Sequence, residues 1–474
     1  MRRTRVYSPW YLAVVVATSM IAGCRTAPGP HIPDAETIVE GTTAPGVRID
    51  TADLPFGASL EIARWRAREI STAEREFWSD VAVLDIPRAE RDAVDMDQRT
   101  FTVALRHLMA SDPEEAAVAF QILHRTANDP DVRAWSRIGL TMALTWSSDW
   151  ATIARLEHDP DSLASSPTGV LTRHYTAVES WAHAFANIPP PSIAISGEPI
   201  ILPLRRSSVG TPIARVLING RPHEFWLDTG ASMTVLSTDI ATEAGVHLAA
   251  NDTLALGVVG GSIDARAVLI DSLSLGGFTA RGITAALVSA SMLRLDHRME
   301  NGHSVPVLID GVIGADLMRH MDLVIDVAAG TITIRKPRRD RRSVRNLFWV
   351  GFPVVRLIAR GGRPLLFGLD TGAESTYITA RLLEKLPRTH VATRRGQLGG
   401  LGGEKEQTEW VARELTVSDG TYAIKLSNTP IGPERDWNFV SFDGVVGSDI
   451  ALGTRLHLDF ENGVFDVRPT RPSQ

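Results

Sequence analysis

The chain contains an internal repeat built around the tripeptide Asp-Thr-Gly. Residues 225–232 read Phe-Trp-Leu-Asp-Thr-Gly-Ala-Ser, and residues 367–374 read Phe-Gly-Leu-Asp-Thr-Gly-Ala-Glu. In both copies an apolar run leads a carboxyl group into a turn, where glycine allows backbone amides to approach it closely. Because Asp228 and Asp370 occupy matching settings, the repeat predicts that the two carboxylates share one site.

The repeat extends well beyond the tripeptide. Segments 212–218 and 353–359 each precede a glycine turn and a second strand that runs into Asp-Thr-Gly, which predicts a hairpin in both copies. Segments 310–317 and 443–450 share the pattern Asp-Gly-apolar-apolar-Gly-x-Asp-apolar. Paired glycines follow each aspartate at the same offset and predict mobile hairpin tips near a ligand; they are Gly260, Gly261, Gly402 and Gly403. The recurrence predicts two copies of one β domain.

These motifs resemble the retropepsin-like aspartic proteases, and the duplication is similar to the two-lobed layout of pepsin-type enzymes. The resemblance covers about residues 200–468. It implies two tandem closed β-barrel lobes, each with one catalytic aspartate, and a site where the lobes face one another. The sequence departs from pepsins in its flap candidates, which contain no tyrosine, because the tyrosines after residue 200 are Tyr377 and Tyr422.

The resemblance implies an aspartic endopeptidase with Asp228 and Asp370 as the catalytic pair and no metal or cofactor. Two carboxylates within hydrogen-bonding distance share a proton, since ionising both is costly. The charged one takes a proton from water and the neutral one donates to the peptide carbonyl. The resemblance gives supporting roles, across the lobe interface and in close backbone approach, to Thr229, Gly230, Thr371 and Gly372. The substrate would be an extended peptide or protein segment, with the paired glycines closing over it.

Ala231 and Ala373 stand where pepsins usually have Ser or Thr. A missing hydroxyl no longer stabilises the charged carboxylate, which should raise the pKa values of the pair. We therefore expect an activity optimum less acidic than that of digestive pepsins.

The first residues read as an export signal. Three arginines precede an apolar stretch over 10–21, which is short for a membrane span, and Ala-Gly precedes Cys24. Residues 21–24 resemble the lipobox of bacterial lipoproteins, in which the cysteine is acylated after cleavage. Cys24 is the only cysteine, so intramolecular disulfides and thiolate metal clusters are excluded. Arg25 follows it, which the resemblance associates with an outer-membrane anchor facing the periplasm in a cell with two membranes. An uncleaved anchor or a soluble secreted protein is the alternative.

Residues 57–190 are rich in helix formers, and Asp-Pro breaks separate segments that look similar to tetratricopeptide-type repeats without their full consensus. A helix is predicted after Ser111, and others over 132–146, 150–156 and 170–186. This region could bind a protein partner, or it could be a helical spacer or lid. If the region is a spacer or lid, its tryptophans are core residues, namely Trp135, Trp146, Trp150 and Trp181.

Composition narrows the partners further. A formal net charge of −6 gives no reason to expect nucleic acid, and the histidines form no cluster with metal-ligand spacing.

The other repeated aspartates are predicted to be structural: Asp316, Asp326, Asp449 and Asp459. The basic segment 335–342 is by default a solvated linker, with an anionic-lipid or partner contact and proteolytic processing as alternatives.

The domain limits expected from these patterns are a signal at 1–23, a flexible tether at 24–56, a helical domain at 57–190, a first lobe at 195–337, a basic linker at 338–351 and a second lobe at 352–470. A rival function is a peptide-binding or scaffolding lipoprotein that keeps the fold without catalysis. Retention of both Asp-Thr-Gly motifs weighs against it, because a binder has no need of two mutually repelling carboxylates.

Overall fold

The computed structural model describes residues 17–18, 72–156, 170–207, 210–258, 261–298, 304–340, 344–359, 362–386, 390–400, 403–432, 436–437 and 439–469. Cys24 and the expected tether lie outside these residues, as do Gly260 and Gly402. No helix within the described ranges is long and apolar enough to cross a membrane.

The N-terminal region is helical, as the sequence predicts. Its helices are α1 (Thr72–Ala82), α2 (Ile86–Asp92), α3 (Met96–Met109), α4 (Pro113–Thr126), α5 (Pro130–Trp146), α6 (Trp150–Ala154) and α7 (Val170–Phe185). Asp-Pro pairs begin two of them, because proline is tolerated in the first turn and the Asp129 side chain accepts the Asp131 and Val132 N–H groups. Three of the four tryptophans considered as core residues are buried and Trp135 is half-buried, which confirms their packing role.

The C-terminal half is mostly β, and a two-residue strand, β1, lies near the N-terminus of the chain. The strands up to the first lobe's end are β1 (Ala17–Thr18), β2 (Ser192–Ile195), β3 (Ile200–Pro203), β4 (Arg205–Arg206), β5 (Pro212–Ile218), β6 (Arg221–Leu227), β7 (Val235–Ser237), β8 (His247–Val258), β9 (Gly261–Leu275), β10 (Phe278–Val288), β11 (Arg294–Arg298), β12 (Ser304–Leu308), β13 (Gly311–Ile313), β14 (Asp322–Asp326) and β15 (Thr331–Arg335). Two short helices accompany them, α8 (Thr238–Ala244) and α9 (Ala315–Met318).

The second lobe repeats this order. Its elements are β16 (Leu347–Trp349), β17 (Pro353–Ala359), β18 (Pro364–Leu369), β19 (Tyr377–Thr379), α10 (Ala380–Lys385), β20 (Val391–Gly400), β21 (Gly403–Ser418), β22 (Ala423–Gly432), β23 (Asp436–Trp437), β24 (Val440–Ser441), β25 (Gly444–Val446), β26 (Thr454–Asp459) and β27 (Val464–Pro469). A 3-10 helix at Ser448–Ala451 corresponds to α9 of the first lobe.

Each lobe is a closed barrel of six strands. In the first, the ring runs β5-β6-β13-β7-β10-β9 and closes where Leu217 and Ile218 of β5 pair with β9. In the second, the ring runs β17-β18-β25-β19-β22-β21 and closes where Ile358 and Ala359 of β17 pair with β21. The two rings use equivalent strands in the same order, so the bilobal retropepsin-like fold expected from the repeat is confirmed.

A five-stranded antiparallel sheet joins the lobes. Its order is β27-β26-β14-β15-β3, and β14 of the first lobe pairs with β26 of the second over five residues, from Asp322–Asp459 to Asp326–Arg455. Because both lobes donate strands to one hydrogen-bonded sheet, their relative position is set by backbone pairing as well as by side-chain packing.

The helical region packs against both lobes. On the first lobe, the Trp150 indole donates to Thr284 Oγ1 at 3.3 Å, and the Trp181 indole donates to the Ala255 carbonyl of β8 at 2.9 Å. On the second, the Trp146 ring lies 4.7 Å from the ring of Trp349. The region is therefore built into the core of the molecule, and these contacts would have to break for it to move away.

Candidate active site

Two parallel strands bring Asp228 into the site. Strand β6 ends in the buried residues Phe225, Trp226 and Leu227, and β13 runs beside it in register. The Asp228 N–H continues this pairing by donating to the Ile313 carbonyl at 3.1 Å. The apolar strand thus fixes the backbone of Asp228, and the chain then turns so that the carboxyl group remains inside, with 0% of the residue exposed.

The second copy places Asp370 in the same way. Strand β18 pairs in parallel with β25, and the Asp370 N–H donates to the Val446 carbonyl at 2.9 Å. Asp370 is 2% exposed. The apolar-apolar-Gly segments identified in the sequence are therefore the strands that hold each Asp-Thr-Gly turn in place.

The threonines of the two turns hydrogen-bond reciprocally across the lobe interface. Thr229 N–H donates to Thr371 Oγ1 and Thr371 N–H donates to Thr229 Oγ1, both at 2.9 Å. Each hydroxyl then donates to a carbonyl of the opposite lobe, Thr229 to Leu369 at 3.0 Å and Thr371 to Leu227 at 2.7 Å. These four buried bonds hold the turns in register, which is the arrangement that the resemblance implied for both threonines.

Backbone amides contact each carboxylate from its own turn. Gly230 N–H donates to Asp228 Oδ1 at 2.8 Å, and the N–H groups of Gly372 and Ala373 donate to Asp370 Oδ1, each at 3.0 Å. Amide donors favour the charged form of a carboxyl group. The turns therefore supply a local environment in which one of the two buried carboxyls can carry a negative charge.

Asp228 and Asp370 interact directly. Burial raises the pKa of Asp228 well above its usual range, and the charge of Asp370 and a hydrogen bond between the two carboxyls raise it further, while the amides of Gly230 and Ala231 oppose the shift. Asp228 Oδ2 is buried and, within the described part of the chain, accepts from no other donor. Since Asp370 is itself an acceptor unless it holds a proton, the pair favours a state with one shared proton.

Gly372 permits this approach. A Cβ atom at that position would lie 2.4 Å from Cγ of Asp228 and 2.5 and 2.6 Å from its two carboxylate oxygens. Real Cβ contacts are essentially never below 3.0 Å. Any side chain at position 372 would therefore displace the partner carboxyl, which explains in physical terms why glycine follows this Asp-Thr pair.

The repeated aspartates after the apolar-apolar-Gly segments support the turns from behind. Asp316 accepts the N–H and the hydroxyl of Thr234, each at 3.0 Å, and Asp449 accepts the same groups of Thr376 at 2.9 and 2.6 Å. Burial raises the pKa of Asp316 to about 6 and raises that of Asp449, while the Thr donors oppose both shifts. These contacts fit the structural roles predicted for the two residues.

The other pair of repeated aspartates lies at turns between strands. Asp326 Oδ1 accepts the Ala329 N–H at 2.9 Å, and Asp459 Oδ1 accepts the Asn462 N–H at 3.1 Å. Both carboxylates therefore satisfy backbone donors in turns of the sheet that joins the lobes, in agreement with the prediction that they are strand-end caps.

The expected flaps are hairpins in both lobes. Strands β8 and β9 pair up to Val258–Gly261, and β20 and β21 pair up to Gly400–Gly403. Gly261 and Gly403 thus begin the returning strands, whereas Gly260 and Gly402 lie outside the described residues. The role of these four glycines in covering a substrate stays a prediction.

One contact at the lobe interface was missed by the sequence reading. Thr211 Oγ1 donates to the Gly372 carbonyl at 3.3 Å, so a first-lobe residue supports the second Asp-Thr-Gly turn. The equivalent position of the second lobe is Phe352, so the repeat carried no signal for this contact.

Within the described residues, no group of three or more His, Cys, Asp or Glu side chains is placed to hold a metal ion.

The match to a family model agrees with this geometry. Residues 214–317, which include the first Asp-Thr-Gly and the first apolar-apolar-Gly, match a family model described as aspartyl protease. Among solved structures, the chain is similar to a retropepsin-like aspartic protease from Rickettsia conorii, with 17% sequence identity, coverage of 30% of this chain and 92% of the other, and a TM-score of 0.19. No curated protein matches the chain. The family match covers the first lobe, and the second lobe repeats the same ring of six strands.

Proposed function

We propose that this protein is an aspartic endopeptidase whose active site is formed by Asp228 and Asp370 at the interface of its two lobes. The observation that carries the proposal is the contact between two buried carboxyls, with the pKa of Asp228 raised by burial and by Asp370. A scaffold gains nothing from burying two like charges together, whereas a pair that shares one proton can act as acid and base at once.

In the proposed reaction the charged carboxylate takes a proton from a water molecule, whose oxygen attacks the carbonyl carbon of the scissile peptide bond. The neutral carboxyl donates its proton to the carbonyl oxygen. Collapse of the tetrahedral intermediate breaks the C–N bond, with a proton passing to the leaving amine. Thr229 and Thr371 hold the turns in register, and the paired flap glycines would close over an extended peptide.

The test is cleavage of a peptide library, read by mass spectrometry across the pH range in which the chain stays folded. The unmodified chain is expected to cleave, and the double variant Asp228→Asn/Asp370→Asn to lose cleavage. Asp326→Asn is a matched control, because it alters a strand-turn carboxylate of the first lobe and should retain cleavage. If the unmodified chain cleaves nothing at any pH, the rival function, a peptide-binding or scaffolding protein, replaces the enzyme.

The pH profile tests the substitution of alanine for the hydroxyl residues of pepsins. Because Ala231 and Ala373 supply no hydroxyl to the carboxylates, and because burial raises the pKa of Asp228, we expect maximal cleavage at a less acidic pH than in digestive pepsins. Maximal cleavage only below about pH 3, where ordinary carboxyls are mostly protonated, would contradict this expectation.

We also propose that the chain is exported and anchored to the cell envelope by a lipid on Cys24, facing the periplasm from the outer membrane if the cell has two membranes. The apolar stretch before Cys24 and the absence of other cysteines from the sequence support it. In that arrangement residues 1–23 are removed, 24–56 form a tether, and 57–190, 195–337 and 352–470 form the helical domain and the two lobes, with 338–351 as linker. Mass spectrometry of the envelope-purified N-terminus tests it, with Cys24→Ser expected to abolish both acylation and membrane retention.

A further inference from the structure

The repeat creates two equivalent grooves on the outer sides of the lobes, behind the Asp-Thr-Gly turns. The lobe 1 groove lies between β10 and α9, and the lobe 2 groove lies between β22 and the 3-10 helix at Ser448–Ala451. Equivalent residues line both, including Asp316 and Leu317 in the first and Asp449 and Ile450 in the second. The remaining cavity is about 10 Å³ in lobe 1 and about 510 Å³ in lobe 2.

The lobe 1 groove is filled by other parts of the chain. Strand β2 adds antiparallel to the outer edge of β10, pairing with Phe278–Arg281. The Trp150 side chain, 4% exposed, enters the groove and donates its indole N–H to Thr284 Oγ1. At the rim, the Arg319 guanidinium donates to the Thr145 carbonyl and to Ser148 Oγ. An extended strand and one large apolar side chain thus occupy the groove.

The lobe 2 groove lacks these partners within the described residues. Strand β22 pairs on this side with β19 at Ile431 and Gly432 alone, so the edge from Ala423 to Pro430 faces the cavity without a neighbouring strand. Leu452 occupies the position of Arg319 and is 48% exposed. An unpaired strand edge beside an exposed apolar side chain is the arrangement that extended peptides recognise by adding a strand.

The charges of the groove indicate the chemistry of its occupant. Its lining contains two charged side chains, and each has a partner: Lys425 Nζ lies 2.9 Å from Glu414 Oε2, and Asp449 accepts two hydrogen bonds from Thr376. The groove therefore offers backbone donors and acceptors and apolar surface, with the Lys425 charge paired and the Asp449 carboxyl already engaged by Thr376. Its volume is within the range of about 300–1,000 Å³ that is typical of ligand sites.

We propose that the lobe 2 groove binds an extended, uncharged peptide segment of another protein, added as a strand along Ala423–Pro430 with an apolar side chain over Leu452. Ser375 and Thr376, which follow the second Asp-Thr-Gly turn, line the same groove. The bound segment would support that turn from behind, in the place that Trp150 takes beside Ser232 and Met233 in the lobe 1 groove. The site is separate from the cleft, because neither Asp228 nor Asp370 lines it.

The probe is a fluorescein-labelled peptide with the sequence of residues 191–196, Pro-Ser-Ile-Ala-Ile-Ser, which contains the segment that fills the lobe 1 groove. Added to the full chain, it should raise fluorescence anisotropy saturably, and hydrogen exchange should slow in segments covering 423–430. A peptide of the same composition with proline moved to its centre should bind more weakly, because proline removes a backbone donor. The titration is repeated in the Asp228→Asn/Asp370→Asn variant, which the proposed function expects not to cleave, so cleavage of the probe does not affect the anisotropy.

Two single variants test whether the peptide binds in the lobe 2 groove. Leu452→Glu should weaken binding about tenfold or more, which corresponds to at least about 1.4 kcal/mol. Val344→Glu is the matched control, because Val344 is 88% exposed and does not line the groove. Equal binding by Leu452→Glu and the unmodified chain, or no saturable binding, would overturn the proposal. Slow exchange over 423–430 without any peptide would show that the chain's own tether fills the groove, and would equally overturn it.

Discussion

Replacing Gly372 with alanine tests whether close approach of the two turns sets the position of the Asp228 carboxyl. The added Cβ would lie 2.4 Å from Asp228 Cγ. An ordinary contact begins at 3.4 Å, so the carboxyl and the turn must separate by about 1 Å. Asp228 Oδ1 is held by the Gly230 N–H, so the shift costs hydrogen-bond geometry as well as packing. Overpacking of this kind destabilises by about 1–3 kcal/mol, and a misplacement of about 1 Å can cost about a hundredfold in rate.

The assay is kcat/KM for a peptide identified in the library, together with urea unfolding of the same preparation. Gly372→Ala should lower kcat/KM by about a hundredfold while the chain stays folded. Gly197→Ala is the matched control, because a Cβ there meets no atom within 4 Å and its backbone needs no positive φ. Activity of Gly372→Ala within about twofold of the unmodified chain, well short of the factor that a displacement of this size implies, would refute the steric reasoning.

Three further predictions concern the lobe interface, the dyad and the first flap. Thr371→Val removes the two buried hydrogen bonds of the hydroxyl, from the Thr229 N–H and to the Leu227 carbonyl, without changing shape. It should lower the free energy of unfolding by about 2–5 kcal/mol, whereas Thr371→Ser should lose less than half as much; equal losses in urea unfolding would contradict it. Asp228 keeps its proton in the folded chain at pH values above the unfolded pKa of about 3.9, so the free energy of unfolding falls as pH rises from about 4 toward the folded pKa, by at most about 1.4 kcal/mol per pH unit. In urea unfolding, the free energy of unfolding of Asp228→Asn should fall less steeply over this pH range. Parallel pH dependences of the variant and the unmodified chain would contradict the raised pKa. Trp181→Phe removes the indole bond to Ala255 and should speed hydrogen exchange in β8; unchanged exchange there would show that the helical region does not hold this flap strand.

The site was predictable because its signal lies in local sequence that occurs twice. Asp228 and Asp370 each sit between an apolar strand and a glycine, and each has an apolar-apolar-Gly segment downstream. Such a pattern determines which strand ends at the carboxyl, and a repeated pattern implies equivalent positions. The barrels, the paired turns and the flap hairpins all follow from these frames.

Contacts between distant segments were not predictable in the same way. Strands β14 and β26 pair from Asp322–Asp459 onward, yet each is a short strand whose sequence does not specify its neighbour. The tryptophans of the helical region illustrate the same limit. Burial of Trp150 and Trp181 could be expected from composition, whereas their partners Thr284 and Ala255 lie far along the chain.

Departures from the repeat carry information that only the coordinates make usable. Arg319 and Leu452 occupy equivalent positions of the two copies and differ in charge. Thr211 and Phe352 are also equivalent, and only the threonine has a hydroxyl. Within the described residues, Arg319 lies at the rim of a covered groove and Leu452 at the rim of an open one. The difference between Thr211 and Phe352 reflects a contact to the Gly372 carbonyl made by one lobe alone. Asymmetry of this kind shows where the two copies have acquired different roles.

The central claim is that both carboxylates belong to one site within a single chain. The most direct test is kcat/KM for one library-identified peptide, measured in parallel for the unmodified chain, Asp228→Asn and Asp370→Asn. The account predicts that each single variant loses about a thousandfold or more, because neither lobe completes the proton transfer alone. If either variant keeps its activity, the site is built from one lobe type of two chains, and the two-lobe, single-chain account is wrong.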